Sequence, residues 1–205
     1  MNPMDRQERL DKQGRFWRWY RTLPIVILII VALVSVGLSM APKAIMRNYF
    51  YPVSYREAIV DSANRHGLDT RLVCAIAKCE SGWNANAVSG AGAIGLMQIL
   101  SDRYPEEMLR NPAVNISVGA RYLKKMEKMF ESTAADPQEA TSFALAAYNM
   151  GEGKLGQLIE KAREEGKDDS RWDSIKDYLP EGHHTRSYVD NVLNTYAYYS
   201  KVYPR

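Results

Sequence analysis

The sequence predicts a mainly α-helical domain with one short structured, β-like loop, preceded by a single transmembrane helix. Three observations predict this. An apolar block over residues 23–41 carries no charge, and helix start and stop signals recur from Ser54 onward. Between them, residues 82–98 are rich in Gly, Ala, Asn and Ser and sustain no period. A chain of 205 residues is long enough for one well-buried domain and a tail.

Residues 1–22 hold six of the 27 basic residues and three of the 24 acidic ones, leaving 21 of each beyond them. The formal charge of +3 therefore sits ahead of the apolar block. The positive-inside rule then makes residues 1–22 a cytoplasmic basic segment and exports everything after residue 41. Charge on this side reports topology, which removes the main support for a nucleic-acid partner. As a helix, residues 23–41 span ~28 Å, close to a bilayer's hydrocarbon core. Pro24 is tolerable in the first turn and Pro42 is a natural stop. Trp17, Trp19 and Tyr20 on one side, and Tyr49, Phe50 and Tyr51 on the other, suit the two interfaces. The competing reading is a cleaved signal peptide, with Ser39-Met40-Ala41 as its site. Pro42 after the cut, the long basic region and the long apolar run favour an uncleaved signal anchor.

Residues 42–52 read as a juxtamembrane linker, and residues 53–205 as the exported domain. Ser54-Tyr55-Arg56-Glu57 is a capping box opening a helix to His66, with Gly67 as its stop. Asp69 caps a second helix over 70–81. The loop that follows is expected to hold one strand pair and to lead into a short helix. Asn111-Pro112 starts an amphipathic helix to Glu131, with Val114, Val118, Tyr122, Met126 and Met129 along one side. Asp136-Pro137-Gln138-Glu139 opens a helix to Asn149. Further helices are expected over 154–165 and 185–202, with a polar loop at 166–170. Cys74 and Cys79 share one helix with Cα atoms more than about 7 Å apart, too far for a disulfide. His66, His183 and His184 show no ligand spacing, so neither a metal nor another cofactor is expected.

Chemistry points to Glu80. It ends an apolar, helix-patterned stretch, where partial desolvation raises a carboxyl pKa toward neutrality. A lone Glu at a helix end is ordinarily a solvated charge; its company changes the reading. Ser81 and the Gly-rich segment supply hydroxyl and backbone donors, Gln98 an amide, and Tyr148-Asn149 a phenol and a second amide. Such groups suit sugars dense in hydroxyl and acetamido groups.

The ordered set Glu80-Ser81, Ser89, Gly92-Ala93-x-Gly95-Leu96-Met97-Gln98-Ile99 and Ala147-Tyr148-Asn149-x-Gly151 resembles the soluble lytic transglycosylase family. Asn115-Ile116, Gly119, Tyr122-Leu123 and Thr185-Arg186-x-Tyr188-Val189 match as well, so the resemblance runs from about Val53 to Tyr199. It implies a lysozyme-like helical fold, related to goose-type lysozyme, and makes residues 53–205 a catalytic domain acting on peptidoglycan glycan strands. By the same resemblance Glu80 is the single catalytic acid. Ser89, Met97, Gln98, Tyr148 and Asn149 are substrate-binding residues, with Tyr148 also supporting the acid. Ser81 is expected to bond the loop structurally.

The implied reaction is non-hydrolytic. Glu80 protonates the bond between N-acetylmuramic acid and N-acetylglucosamine, then deprotonates the muramoyl C6 hydroxyl, which closes a 1,6-anhydro ring. Only Glu80 is found among the acids of the converging segments. Asp102, otherwise a cap or surface acid, is the residue that could instead hold a water. A lysozyme-type hydrolase and a non-catalytic glycan-binding scaffold module are the alternatives. Departures from the family pattern are Leu100-Ser101 after Ile99, Met150 beside Tyr148, and His184 where the family often carries a glutamate. The expected location is the cell membrane, single-pass, with the domain outside; no protein partner is indicated.

Overall fold

Two helices of the domain are buried on every side, and the remaining elements are arranged around them. The computed structural model describes residues 23–36, 55–102 and 104–203. The chain divides into two units, Met1–Pro52 and Val53–Arg205. In the first, residues 23–36 form helix α1, exposed along its described length. The end of the expected span, residues 37–41, lies outside the described residues, as do residues 1–22 and the linker. Among the described residues no helix is long and apolar enough to cross a membrane.

The second unit runs α2 (Arg56–His66), α3 (Thr70–Ser81), β1 (Ala93–Ile94), β2 (Ile99–Leu100), α4 (Glu106–Leu109) and α5 (Pro112–Phe130). It continues through α6 (Pro137–Met150), α7 (Glu152–Glu164), α8 (Trp172–Ile175), a 3-10 turn at Lys176–Tyr178, and α9 (His184–Val202). This is the mainly helical architecture expected, with the strand pair inside the glycine-rich loop. β1 and β2 are antiparallel, Ala93 facing Leu100 and Ile94 facing Ile99, and Val88 bridges to Ile94.

α3 buries every residue from Leu72 to Ala77, and α6 every residue from Ser142 to Ala147. A helix apolar all round belongs at the centre of a bundle, where neighbours cover each face. α9 packs on both, and α5 packs on α2 and α6. The caps act as the sequence indicates. Asp69 accepts from Arg71 N at 2.9 Å, and Asn111 accepts from Ala113 N and Val114 N. Asp136 accepts from Gln138 N and Glu139 N at 2.8 and 3.0 Å.

One expectation needs correction, and another falls outside the described residues. Ser54 of the expected capping box lies outside the described residues, and α2 is entered through Tyr55 at φ 58 without a side-chain cap. α5 buries Asn115, Ile116, Val118, Gly119, Ala120, Leu123, Met126 and Phe130, so Val118 and Met126 of the expected stripe are in the core whereas Met129 is exposed. The expected and observed stripes share Val118 and Met126, but the buried face is turned toward Asn115, Gly119 and Leu123, and the polar Asn115 conceals that turn. The region after the polar loop also holds a short helix: α8 buries Trp172, whose backbone N–H donates to Glu139 Oε2 at 2.8 Å. A four-residue helix is too short to show a period.

One buried side chain holds the loop to the bundle. Asn115 Oδ1 accepts from Met97 N at 2.8 Å, while Nδ2 donates to Ile94 O at 2.8 Å and Leu109 O at 3.0 Å. Gly95 admits this approach. At φ 81, an added Cβ there would meet Asn115 Nδ2 at 2.3 Å. Replacing Asn115 by Ala would strand one N–H and two carbonyls in the interior. We expect a loss of about 3 kcal/mol, read as a melting temperature lower by roughly 6–12 °C in circular dichroism. A shift below about 2 °C would show that Asn115 does not hold the loop.

Candidate active site

Both central helices change character at their C-terminal ends. In α3 the buried run stops at Ala77, and Glu80 follows in the last turn before Gly82. In α6 it stops at Ala147, and the half-buried Tyr148, Asn149 and Met150 follow. Packing thus dictates where polar groups emerge, beside the loop that Asn115 secures.

Glu80 is part-buried and its Oε1 accepts a hydrogen bond from the Tyr188 phenol at 2.7 Å. Oε2 has no hydrogen-bond partner among the described residues. Burial pushes the carboxyl from the ordinary 4.5 up to about 7, and the Tyr188 bond opposes this only in part. A carboxyl raised this far can hold a proton near neutrality, and no described residue bonds its Oε2.

Tyr148 does not donate to Glu80. Its hydroxyl donates to Met97 O at 2.7 Å, and burial, aided by the Glu80 charge, raises its pKa far above the ordinary phenol value. The phenol on the acid is Tyr188, from α9. The sequence quotes Tyr188 inside a matching segment but gives it no role; only the packing of α9 on α3 reveals the contact.

A cavity of about 630 Å³ adjoins these residues, lined among others by Gln98, Tyr122, Tyr148, Asn149, Met150 and Glu152. Glu80 is not among its lining residues; Tyr148, which lines the cavity and feels the Glu80 charge, connects the two. Gln98 stands at φ 47, rarely occupied by a residue with a side chain. Its Nε2 donates to Gly95 O at 2.9 Å and Ala87 O at 3.3 Å. Asn149 Oδ1 accepts from the buried Thr185 hydroxyl at 2.7 Å. Ser81 donates to Leu96 O at 2.9 Å, the loop contact expected of it.

Two expected substrate contacts stand elsewhere. Met97 is wholly buried with its side chain against Gly119, so that side chain cannot touch a ligand; what it offers is the carbonyl that takes the Tyr148 bond. Ser89 does not line this cavity, and its Oγ accepts from Ala93 N at 3.0 Å to close the loop. Met150 is on the cavity wall. His184 is exposed and stacks on His183, whose Nδ1 caps α9 by accepting from Thr185 N. Cys74 and Cys79 are free thiols.

The expectation that converging segments bring only one acid is also corrected. Asp102 and Glu152 both line the cavity. Glu152 accepts from Tyr122 Oη at 2.9 Å and Lys125 Nζ at 3.0 Å. Its own backbone N–H at the start of α7, then Lys125 and Tyr122, pull its pKa down to about 2. Sequence spacing hid it because Lys125 lies 27 residues away on another helix. A second cavity of about 540 Å³, lined among others by Arg56, Ile59, Asp69, Cys74 and Tyr199, shares no lining residue with the first. Its Asp69 is committed to Arg71 and Tyr196.

Comparisons with known proteins agree on one relationship. The model of the Transglycosylase SLT domain matches residues 57–170. Membrane-bound lytic murein transglycosylase F of Desulfosudis oleivorans is 33% identical over 153 residues, covering 70% of this chain and 32% of its own length. The protein of that name from Marinobacter nauticus is 32% identical over 161 residues, covering 69% of this chain and 32% of its own. The chain thus spans about a third of the length of these curated relatives. Among solved structures, lytic transglycosylase Slt of Pseudomonas aeruginosa, an inactive glutamate-to-glutamine mutant, superposes with TM-score 0.60 at 29% identity. It covers 76% of this chain and 25% of its own. The 70 kDa soluble lytic transglycosylase of Escherichia coli gives TM-score 0.60 at 26% identity, covering 74% and 25%.

The raised pKa of Glu80 ties its protonation to stability. Between 4.5 and about 7 the folded state holds a proton that the unfolded chain has released. The contribution is complete below 4.5 and lost as pH rises through about 7. Glu80→Gln removes that loss, so above pH 8 the variant should exceed the parent in stability by on the order of 2 kcal/mol. Urea unfolding at acidic and alkaline pH measures this; the same difference at both would refute the assigned shift.

Proposed function

The chain belongs to the Transglycosylase SLT domain family, and on that premise we propose that it is a membrane-anchored lytic transglycosylase of peptidoglycan. Glu80 serves first as general acid and then as general base. The observation that carries this is a half-buried carboxyl titrating at about 7, with one oxygen fixed by Tyr188 and the other unoccupied by any described residue. A general acid works best with its pKa near the operating pH. A single glutamate-to-glutamine change in the inactive Pseudomonas relative is in keeping with chemistry resting on one carboxyl.

In this mechanism Glu80 protonates the oxygen between N-acetylmuramic acid and N-acetylglucosamine, and the substrate's acetamido group stabilises the developing cation. The resulting carboxylate withdraws the proton of the muramoyl C6 hydroxyl, which attacks C1 and closes the 1,6-anhydro ring. The C6 hydroxyl competes well with water because it is held at high effective concentration. Gln98, Tyr148 and Asn149 bind the glycan from the cavity wall. The usual second glycosidase acid has a candidate in Glu152, but a carboxylate held down at about 2 is too weak a base to activate water. That disfavours the hydrolase reading, leaving Asp102 as its remaining support.

The proposed anchor draws on the sequence of α1 and its surroundings. Residues 23–36 are helical, uncharged and exposed, a surface suited to lipid, with the basic segment on one side. Relatives bearing the name membrane-bound are in keeping with it. The proposed arrangement puts residues 1–22 in the cytoplasm, the anchor at 23–41, the linker at 42–52 and the catalytic domain at 53–205 outside. A short linker confines the domain to membrane-proximal glycan.

Digestion of purified sacculi by the chain should release muropeptides with anhydro ends, identified by mass. Reducing ends would establish hydrolysis, and no release would leave a binding module. Glu80→Gln should lower release at least about a hundredfold while the chain stays folded. Release should also decline as pH rises through about 7, where Glu80 loses its proton. Because the Tyr188 bond favours the carboxylate, Tyr188→Phe should move that decline to higher pH; a move to lower pH would contradict the role given to this phenol.

A further inference from the structure

Arg121 stands on α5 in the wall of the 630 Å³ cavity, together with Tyr104 and Lys125. Arg65, Arg71, Arg110, Arg163, Arg171 and Arg186 each sit within ion-pair reach of a carboxylate. Arg121 has none among the described residues. Its Nη2 donates to the Tyr104 hydroxyl, and its guanidinium carbon lies 5.9 Å from the centre of the Tyr104 ring. The tyrosine thus holds the side chain against the wall without neutralising it, and among the described residues the other N–H groups of the fork have no partner. Lys125, one helical turn further, is already matched by Glu152. That pair cancels, which leaves Arg121 as the cation of the wall available to an anion; Asp102 is the other charged residue there. Recognition of an anion here rests on the guanidinium fork, whose geometry fits a carboxylate in bidentate fashion.

From this geometry we infer that Arg121, braced by Tyr104, recognises a carboxylate carried on the side arm of a muramoyl residue in the bound glycan. The inference rests on the proposed glycan substrate and adds to it a specificity determinant. A muramoyl arm offers carboxylates from two sources: the attached peptide or, once the peptide is removed, the lactyl group itself. A plain N-acetylglucosamine polymer has the same backbone without either. The site therefore distinguishes strands by their arms, while Glu80 and the amides act on features of the sugar chain.

The test is binding to the full-length chain carrying Glu80→Gln, which stops turnover, with and without Arg121→Gln or Arg121→Lys. Three glycans are compared by calorimetry: peptide-bearing strands, amidase-trimmed strands with free lactyl groups, and chitin oligosaccharides. Arg121→Gln should weaken binding of at least one muramoyl glycan about fivefold, the effect of one exposed ion pair, relative to chitin oligosaccharides. Arg121→Lys should recover part of the loss, and added salt should erode it. Whichever muramoyl glycan responds identifies the source of the carboxylate. Equal loss on all three glycans, or no loss on either muramoyl glycan, overturns the inference. Failure of the transglycosylase reading is seen separately, as absence of anhydro products from the parent chain.

Discussion

The bonds of Asn115 are the constraint on which the site depends. A loop of small residues has little apolar surface with which to fix its own shape. Asn115 supplies what the loop lacks, binding its backbone at Ile94 and Met97 from inside α5 and tying both to Leu109. Met97 then acts twice, its side chain filling the space over Gly119 and its carbonyl receiving Tyr148. Through that carbonyl the loop, α5 and α6 share one geometry. Ser81 joins α3 to the same loop at Leu96. Displacing Asn115 would therefore disturb the surroundings of Glu80 without touching the carboxyl.

The central helices were readable because their signals are local. Caps at Asp69, Asn111 and Asp136 and stops at Gly67 and Gly82 depend on a few neighbouring residues, and the helices begin and end within two residues of those marks. The position of Glu80 was readable for the same reason: an apolar run that ends one turn before a glycine leaves a carboxyl half-covered. Short pieces such as α8 carried no period, and a buried Asn in α5 disguised its core stripe. Residues 37–54, where the anchor and linker were expected to continue, lie outside the described residues.

Partners across the fold were less readable. Tyr148 lies in the main set of motifs and Tyr188 in a supporting segment, and spacing alone does not say which phenol reaches the acid. The answer comes from α9 lying along α3, 108 residues later in the chain. Met97 misled for the complementary reason. A methionine in a glycine-rich motif suggests an apolar contact for a sugar face, yet the absent side chain of Gly119 draws it into the interior. Glu152 went unnoticed because a helix-start acid is ordinarily a cap interaction, and its partners come from another helix.

The carboxyls at the end of α3 and the start of α7 are pushed in opposite directions. Glu80 is covered by packed helices with a single hydrogen bond, so desolvation dominates and the proton is retained to about 7. Glu152 has a helix N-terminus, an ammonium and a phenol, so its charge is favoured down to about 2. Environments that separate two acids in this way assign them different tasks. The first can give and take a proton at neutral pH. The second remains charged and orients its neighbours, among them Tyr122, whose ring lies 5.4 Å from that of Tyr148. On the proposed mechanism this division also explains why one glutamate must act twice: the fold has fixed the other in a state from which it can neither donate a proton nor readily accept one.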